Sequence, residues 1–352
     1  GSEMCIRDSP NADALNRLIY EFVAAIEKKE LELWQQGKRI SLELLKDALA
    51  TRENNSSFIS FFKQEVSNSS LKDSTKRNHL STLLLLQEFK RDIVFSDLTF
   101  EFVSSFEYFL QQKGYHTNTI AKHMKHLKRH INIAINKEYI EIQKYAFRKY
   151  KIKTVENKHT HLVPEELEQL ERLSLTDKHM KLQKSLDAFL FCCYAGMRYS
   201  DFTNLSKKNI VDINQETWLI YKSVKTGTEV RLPLYLLFAG KGIVILNKYR
   251  NNLEDFFRLR DNSNINKDLI IIAKLAGLSK KISFHTARHT NATLLIYNGV
   301  NITTVQKLLG HKSVKTTQVY TNIMDMTIVH DLEKIKQAAL GIKKKTDNSF
   351  NK

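Results

Sequence analysis

His285-Thr286-Ala287-Arg288-His289, then Leu309-Gly310-His311, then Tyr320 place imidazoles, a guanidinium and a phenol within 36 positions of one another. These are not the groups that cut a peptide or a sugar. They suit a phosphodiester: cations hold the anion, imidazoles manage protons, and a hydroxyl attacks phosphorus. The transition state of phosphoryl transfer carries negative charge on its non-bridging oxygens, and fixed cations aimed there stabilise it. Arginine does this well because its fork meets two oxygens at once and stays charged. Arg288 is one candidate. Arg198 is the other, in a tight turn after Gly196 and just ahead of Ser200-Asp201, which reads as the next helix start. Taken singly, each is more often a structural ion-pair arginine.

Other chemistries lack their residues. There is no G-x-x-x-x-G-K-[ST] loop, no G-x-S-x-G elbow and no zinc-finger spacing. His285 and His289 stand at i, i+4, but Thr286 occupies the place where a metalloprotease motif carries Glu, and Arg288 would repel a cation. His289 therefore reads as structural. His116, His123, His126 and His130 lack carboxylate or cysteine partners, so no metal is expected there either.

The elements that must position these groups belong to a chain of 352 residues, long enough for two or three domains. It holds 55 Lys plus Arg against 38 Asp plus Glu, a net charge of +17 that calls for a polyanionic partner. A membrane surface is disfavoured, because apolar runs such as Leu83–Leu86 and Leu269–Ala273 fall far short of the roughly 20 residues that span a bilayer. Residues 1–10 lack the apolar core of a signal peptide and read as a non-native leader. Cys192 and Cys193 are sequence neighbours among Leu190, Phe191 and Tyr194, and read as part of a buried apolar helix in a reducing compartment.

With three prolines and 11 glycines, the pattern is mainly α with a small antiparallel β-sheet. Residues 11–55 read as a helical N-terminal segment of two helices, the first ended by Gly37. Residues 56–150 read as a helical domain, with N-caps expected at Ser74-Thr75 and a helix opened by Asp97-Leu98-Thr99. Over 117–137, Ile120, Met124, Leu127, Ile131 and Ala134 form one apolar face, while Lys122, Lys125, His126 and Arg129 recur on another. Between Lys113 and Lys153, 11 Lys or Arg meet two acids, Glu138 and Glu141, which concentrates over half of the net charge and favours DNA-backbone contact by Lys122, Lys125 and Arg129. A linker follows at 151–162, then a second domain at 163–340 with Pro164 in its first helical turn. Helices are expected at 165–173, 182–195, 235–250, 264–276, 285–298 and 302–309. Trp218–Ser223 and Glu229–Pro233 read as a hairpin turned by Gly227. Residues 341–352 form a basic tail.

Three stretches together resemble the boxes of the tyrosine recombinases, or phage-integrase family. They are Ala195-Gly196-Met197-Arg198-Tyr199-Ser200-Asp201 running to Leu205, Phe284-His285-Thr286-Ala287-Arg288-His289 running to Thr293, and Leu308-Leu309-Gly310-His311 running to Tyr320. Their style is similar to integrases of Bacteroides-type mobile elements. The resemblance spans about 158–340 and, more weakly, the helical half before it. Ala195 stands where many members have Thr, and Asp201 where many have Glu.

The resemblance implies an all-α SAM-like core-binding domain and a catalytic domain closing as a clamp on duplex DNA. It implies a site-specific recombinase that cuts and rejoins DNA through a 3′-phosphotyrosyl link, with no cofactor, ATP or metal, to integrate or excise a mobile element. Tyr320 would be the nucleophile. Arg198 and Arg288 would neutralise the phosphorane. His285 would assist proton removal from the tyrosine, and His311 would donate to a phosphate oxygen. Lys225, in the hairpin turn, would protonate the leaving 5′-oxygen, and Asp201 would orient the site. Family members act as tetramers and pass a C-terminal helix to a neighbour, a role suited to Asp331–Leu340. Accessory DNA-bending or directionality proteins and a cytoplasmic, nucleoid-associated location would follow. A small arm-site-binding domain precedes this region in many integrases of the type, and this chain reads as starting in the helix after it. The rivals are a catalytically silent DNA-binding regulator and a type IB-like topoisomerase.

Overall fold

The computed structural model describes residues 12–35, 37, 57–156 and 159–320. The expected leader, the second N-terminal helix, the C-terminal helix at 331–340 and the basic tail lie outside them. The chain divides into two compact units between Glu156 and Asn157.

The first unit is helical: α1 (Ala12–Gln35), α2 (Phe58–Asn68), α3 (Asp73–Phe89), α4 (Phe100–Gln112) and α5 (Thr117–Asn136). Gly37, at φ 68°, bonds back to Trp34 O just beyond α1. Ser57 caps α2 by accepting from Ser60 N, and Thr99 caps α4 by accepting from Phe102 N. These are the residue types whose side chains satisfy free amides in a first helical turn. Ser74 and Thr75 do not cap α3: it begins one residue earlier, at Asp73, with Lys72 in the cap position. The apolar stripe of α5 (Ile120, Met124, Leu127, Ile131 and Ala134) is buried against Phe58, Phe62, Leu86, Val103 and Phe106.

The histidines of α5 go to this interior. His130 stacks on Phe62 at 3.6 Å, and His126 stacks on His79 at 4.0 Å. The hydroxyl of Thr82 lies 2.8 Å from Nδ1 of both His123 and His126. His126 thus leaves the basic face, on which Lys122, Lys125 and Arg129 remain exposed.

The second unit is built round α7 (Gln183–Ala195), preceded by α6 (Pro164–Glu171). Every residue of α7 from Ser185 to Ala195 is buried, Cys192 and Cys193 included, and the helix packs against α12 (Phe284–Tyr297), which is buried from Thr286 to Leu295. Burial pushes both thiols well above their ordinary value. After α7 come α8 (Tyr199–Phe202) and the meander β1 (Ile210–Ile213), β2 (Glu216–Lys222) and β3 (Glu229–Pro233). Lys222 pairs with Glu229 and Tyr221 with Val230, which leaves residues 223–228 as the turn, with Gly227 at φ 70°. Strand β1 has no counterpart in the sequence reading.

Next are α9 (Lys241–Lys248), α10 (Leu253–Phe257), α11 (Asn262–Leu275), α12, α13 (Ile302–Leu309) and α14 (Lys315–Gln318). The single helix expected over 235–250 is instead a short 3₁₀ turn at Leu237–Gly240 followed by α9, because Phe238, Ala239 and Gly240 all take positive φ. That left-handed run cannot continue a right-handed helix. No helix among the described residues is long and apolar enough to cross a membrane.

Candidate active site

Arg288 sits at the centre of the second unit's polar cluster, 1% exposed. Its two terminal nitrogens donate to Gly196 O at 2.7 Å and Leu309 O at 2.6 Å. These carbonyls end α7 and α13, where helix carbonyls lack intrahelical partners and the helix dipole is negative. The guanidinium therefore fastens two helix ends together. Burial, then the neighbouring Arg198, push it down to about 10, which leaves it charged at neutral pH.

Two glycines permit this approach. A Cβ on Gly196 would stand 2.6 Å from Asn291 Oδ1 and 2.8 Å from Leu309 Cδ2; one on Gly310 would stand 2.6 Å from Val230 Cγ2. Both have φ above 60°, the left-handed helix cap that favours glycine. Asn291 donates to Cys193 O and Tyr194 O, tying α12 to the last turn of α7.

Arg198 stands in the cap position of α8. It donates to Asp201 Oδ2 at 3.4 Å and to Ser223 Oγ at 3.2 Å. Asp201, 2% exposed, also accepts from Val224 N at 2.8 Å and from Ser223 Oγ. One buried carboxylate thus orients Arg198 and the base of the hairpin that carries Lys225. Lys225 itself is exposed at the turn. The hydroxyl of Thr226 donates to Gly310 O at 3.3 Å, which joins the turn to the loop bearing His311.

His311 is 8% exposed, and its Nδ1 lies 2.9 Å from the hydroxyl of Thr317. Its backbone is held by a reciprocal pair with Gln306. Tyr320 follows α14 and is 6% exposed, its ring parallel to that of His311 with centroids 6.4 Å apart. Its hydroxyl is 3.1 Å from Nδ1 of His289. His285, four residues earlier on α12, is exposed, with its ring edge-on to His289 at 4.6 Å.

The cluster shares one positive field. Partial burial of its ring first, then Arg288, Arg198, His159 and Lys225, push His285 down to about 4. Burial with Arg288, Arg198, His285 and Lys225 pushes His311 to about 3. Burial raises Tyr320 above its ordinary phenol value, and Arg288 and Arg198 oppose that rise. No group of three His, Cys, Asp or Glu side chains among the described residues is disposed to hold a metal ion.

Arg198, Asp201, His285, Arg288, His311 and Tyr320 therefore meet in one place, with Lys225 at its rim. Lys122, Lys125 and Arg129 belong to the first unit. Sequence reasoning missed three contributors. Ser223 and Thr317 gave no signal, since their roles arise only when the hairpin meets Arg198 and when α14 meets His311. His289 does give one, its i, i+4 spacing from His285, which the sequence reading tests as a metal motif and then assigns to structure.

The description "Phage integrase family" matches residues 161–326, and "Phage integrase SAM-like domain" matches residues 57–152. A protein named tyrosine recombinase from Pseudothermotoga lettingae is 30% identical over 181 residues, which are 50% of this chain and 60% of that one. The chain spans about half the length of the curated relatives it matches. Its fold is that of a lambda integrase(75-356) dimer bound to a COC′ core site, at TM-score 0.63 and 17% identity, over 75% of this chain and 93% of that one. A lambda integrase tetramer bound to a Holliday junction superposes at TM-score 0.62 and 18% identity, with 85% of each chain covered.

Proposed function

This chain belongs to the phage integrase family, and from that premise we propose that it is a site-specific tyrosine recombinase acting on duplex DNA. The observation that carries the reading is the convergence of Arg198, Arg288, His311 and a buried Tyr320 in one cationic cluster.

The scissile phosphate enters between Arg198 and Arg288, which offset the charge that builds on its non-bridging oxygens. His311, with Nδ1 engaged by Thr317, offers Nε2 to one of those oxygens. Tyr320 attacks phosphorus and becomes joined to the 3′ end. The 5′-oxygen leaves with its electron pair and needs an acid, which Lys225 supplies from the hairpin turn. Attack by a side chain keeps the bond energy in a phosphoester, so the 5′-hydroxyl can reverse the step without ATP. Asp201 holds Arg198 and the hairpin base in register for this chemistry.

Lys122, Lys125 and Arg129, exposed on one face of α5, clamp the DNA backbone. A homotetramer on DNA is the working assembly, by analogy with the lambda integrase tetramer on a junction. The reaction places the protein with its substrate, in the bacterial cytoplasm.

The test is covalent capture. The chain is incubated in EDTA with a library of nicked duplexes of randomised sequence, and protein-linked DNA is recovered under denaturing conditions and sequenced. Recombinase action predicts an adduct enriched in one sequence and absent with Tyr320→Phe. Sequence-specific binding with no adduct would instead fit a silent regulator, and adducts without sequence enrichment would fit a topoisomerase.

A further inference from the structure

The imidazole that reaches the Tyr320 hydroxyl belongs to His289, not His285. Its Nδ1 is 3.1 Å from Tyr320 Oη, and the residue is 7% exposed. The ring is fixed on two sides. His159 stacks on it at 4.4 Å with 24° between planes, and His285 meets it edge-on at 4.6 Å. Burial, followed by the charges of His285, His159, Arg288 and His161, pushes His289 down to about 3, so it is neutral at physiological pH. A neutral imidazole carries one N–H and one bare nitrogen. In the tautomer protonated at Nε2, the bare Nδ1 accepts the phenol's O–H. The phenol is meanwhile harder to ionise than an exposed one, since burial outweighs Arg198 and Arg288. A buried hydroxyl that must attack, and that does not ionise readily alone, needs a base in contact with it.

We infer that His289 is a catalytic residue, the proton acceptor for Tyr320. The inference rests on the recombinase reading above. As the Tyr320 oxygen forms its bond to phosphorus, the hydroxyl proton passes to Nδ1 and His289 becomes an imidazolium. The bond from phosphorus to the 5′-oxygen breaks with its pair, and that oxygen takes a proton from the Lys225 ammonium. One positive charge therefore moves from Lys225 to His289 and the total is unchanged. Rejoining runs the same path backwards, the imidazolium returning its proton to the phenol oxygen. The entering phosphodiester favours the transfer, because its negative charge offsets the positive charges of His285, His159, Arg288 and His161 that add to burial in keeping His289 neutral in free protein. His285, on the exposed rim one helical turn away, is left to meet a phosphate oxygen.

Two substitutions separate proton transfer from positioning. Asn at 289 sets an amide oxygen near the place of Nδ1: it accepts the hydroxyl's hydrogen bond but takes no proton. Gly at 289 opens a space for added imidazole. The full chain is assayed for single-turnover adduct formation on a nicked duplex across pH 6–9, beside Tyr320→Phe. His289→Asn should melt and bind DNA like the parent yet cleave about 10²–10⁴-fold more slowly, with a rate that climbs as pH rises and hydroxide replaces the base. His289→Gly should recover rate with added imidazole in proportion to the free-base fraction. Cleavage by His289→Asn at the parent rate and pH profile overturns the inference and leaves the recombinase reading intact. A slow His289→Gly that imidazole does not restore overturns it too, and marks His289 as structural. Should either substitution prevent folding, the other decides. An adduct that persists with Tyr320→Phe would sink the recombinase reading itself.

Discussion

Replacing Arg288 by lysine keeps the charge and removes the fork. In the parent, two nitrogens of one rigid plane reach Gly196 O and Leu309 O, at the ends of α7 and α13. A lysine ammonium ends a single chain and meets one of these carbonyls well. The other is left buried and unpaired, a loss of about 1.5–3 kcal/mol for a bond to a charged donor. In a unit of this size that corresponds to a fall of roughly 3–12 °C in Tm. Arg198→Lys is the control. Arg198 donates to the side chains of Asp201 and Ser223 rather than to helix ends, and 14% of its own side chain reaches solvent. Its replacement keeps a cation beside Asp201 and leaves no helix-end carbonyl unpaired, so it should cost less than Arg288→Lys. Both variants should lose about 10²–10³-fold in cleavage, since each gives up a two-oxygen contact to the phosphate. The chain has two tryptophans, Trp34 and Trp218, so fluorescence in a Trp34→Phe background reports the second unit alone. An Arg288→Lys protein that melts within about 1 °C of its parent, or no lower than Arg198→Lys, would refute the claim that this guanidinium fastens the two helix ends.

Gly196→Ala should lower stability by more than about 2 kcal/mol and abolish cleavage, because its Cβ would enter Asn291 Oδ1 and Leu309 Cδ2 at a positive φ; a urea midpoint equal to the parent's would contradict this. Lys225→Ala, at an exposed turn, should leave the melting curve unchanged while slowing cleavage. A substrate with sulfur at the 5′ bridging position, a leaving group that needs no acid, should restore the rate, and persistent slowness on it would remove Lys225 from the acid role. The first unit should be acid-labile. Burial holds His123 and His130 down to about 4 and His126 to about 3, and lowers His79 as well. Their folded values lie below the unfolded value of about 6.5, so the unfolded chain binds more protons between roughly pH 6.5 and 4. Stability is therefore lost as pH falls through that window, by up to about 1.4 kcal/mol per pH unit for each such histidine. Hydrogen exchange in α3 and α5 that is equally protected at pH 7 and pH 5 would contradict it.

The chemistry was the most legible part of the sequence. The three boxes came from resemblance to the tyrosine recombinases, while the mainly helical class, the hairpin turned at Gly227 and the apolar stripe of α5 could be read from spacing and residue type. Those signals are local, and local signals survive without a structure. What stayed hidden depended on partners far along the chain. Strand β1 is four residues long and is defined by its pairing with β2, so its own sequence says little. The break at Phe238–Gly240 follows from left-handed backbone that Phe and Ala do not announce. Ser74 and Thr75 have the composition of a cap, but α3 starts at Asp73, which leaves both inside its first turn. His126 reads as part of the basic face of α5, and only the fold shows it stacked on His79 and held by Thr82. His289 is the instructive case. Its spacing from His285 was visible, and its meaning came only when Tyr320, 31 residues later, folded back onto its Nδ1.

The central claim is that Tyr320 becomes covalently joined to DNA. The direct measurement is mass spectrometry of the captured adduct after nuclease and trypsin digestion. The peptide spanning residues 316–334 should carry the mass of a 3′-linked nucleotide, with fragment ions placing it on Tyr320. Attachment to any other residue, or an adduct whose peptide 316–334 is unmodified, would contradict the account.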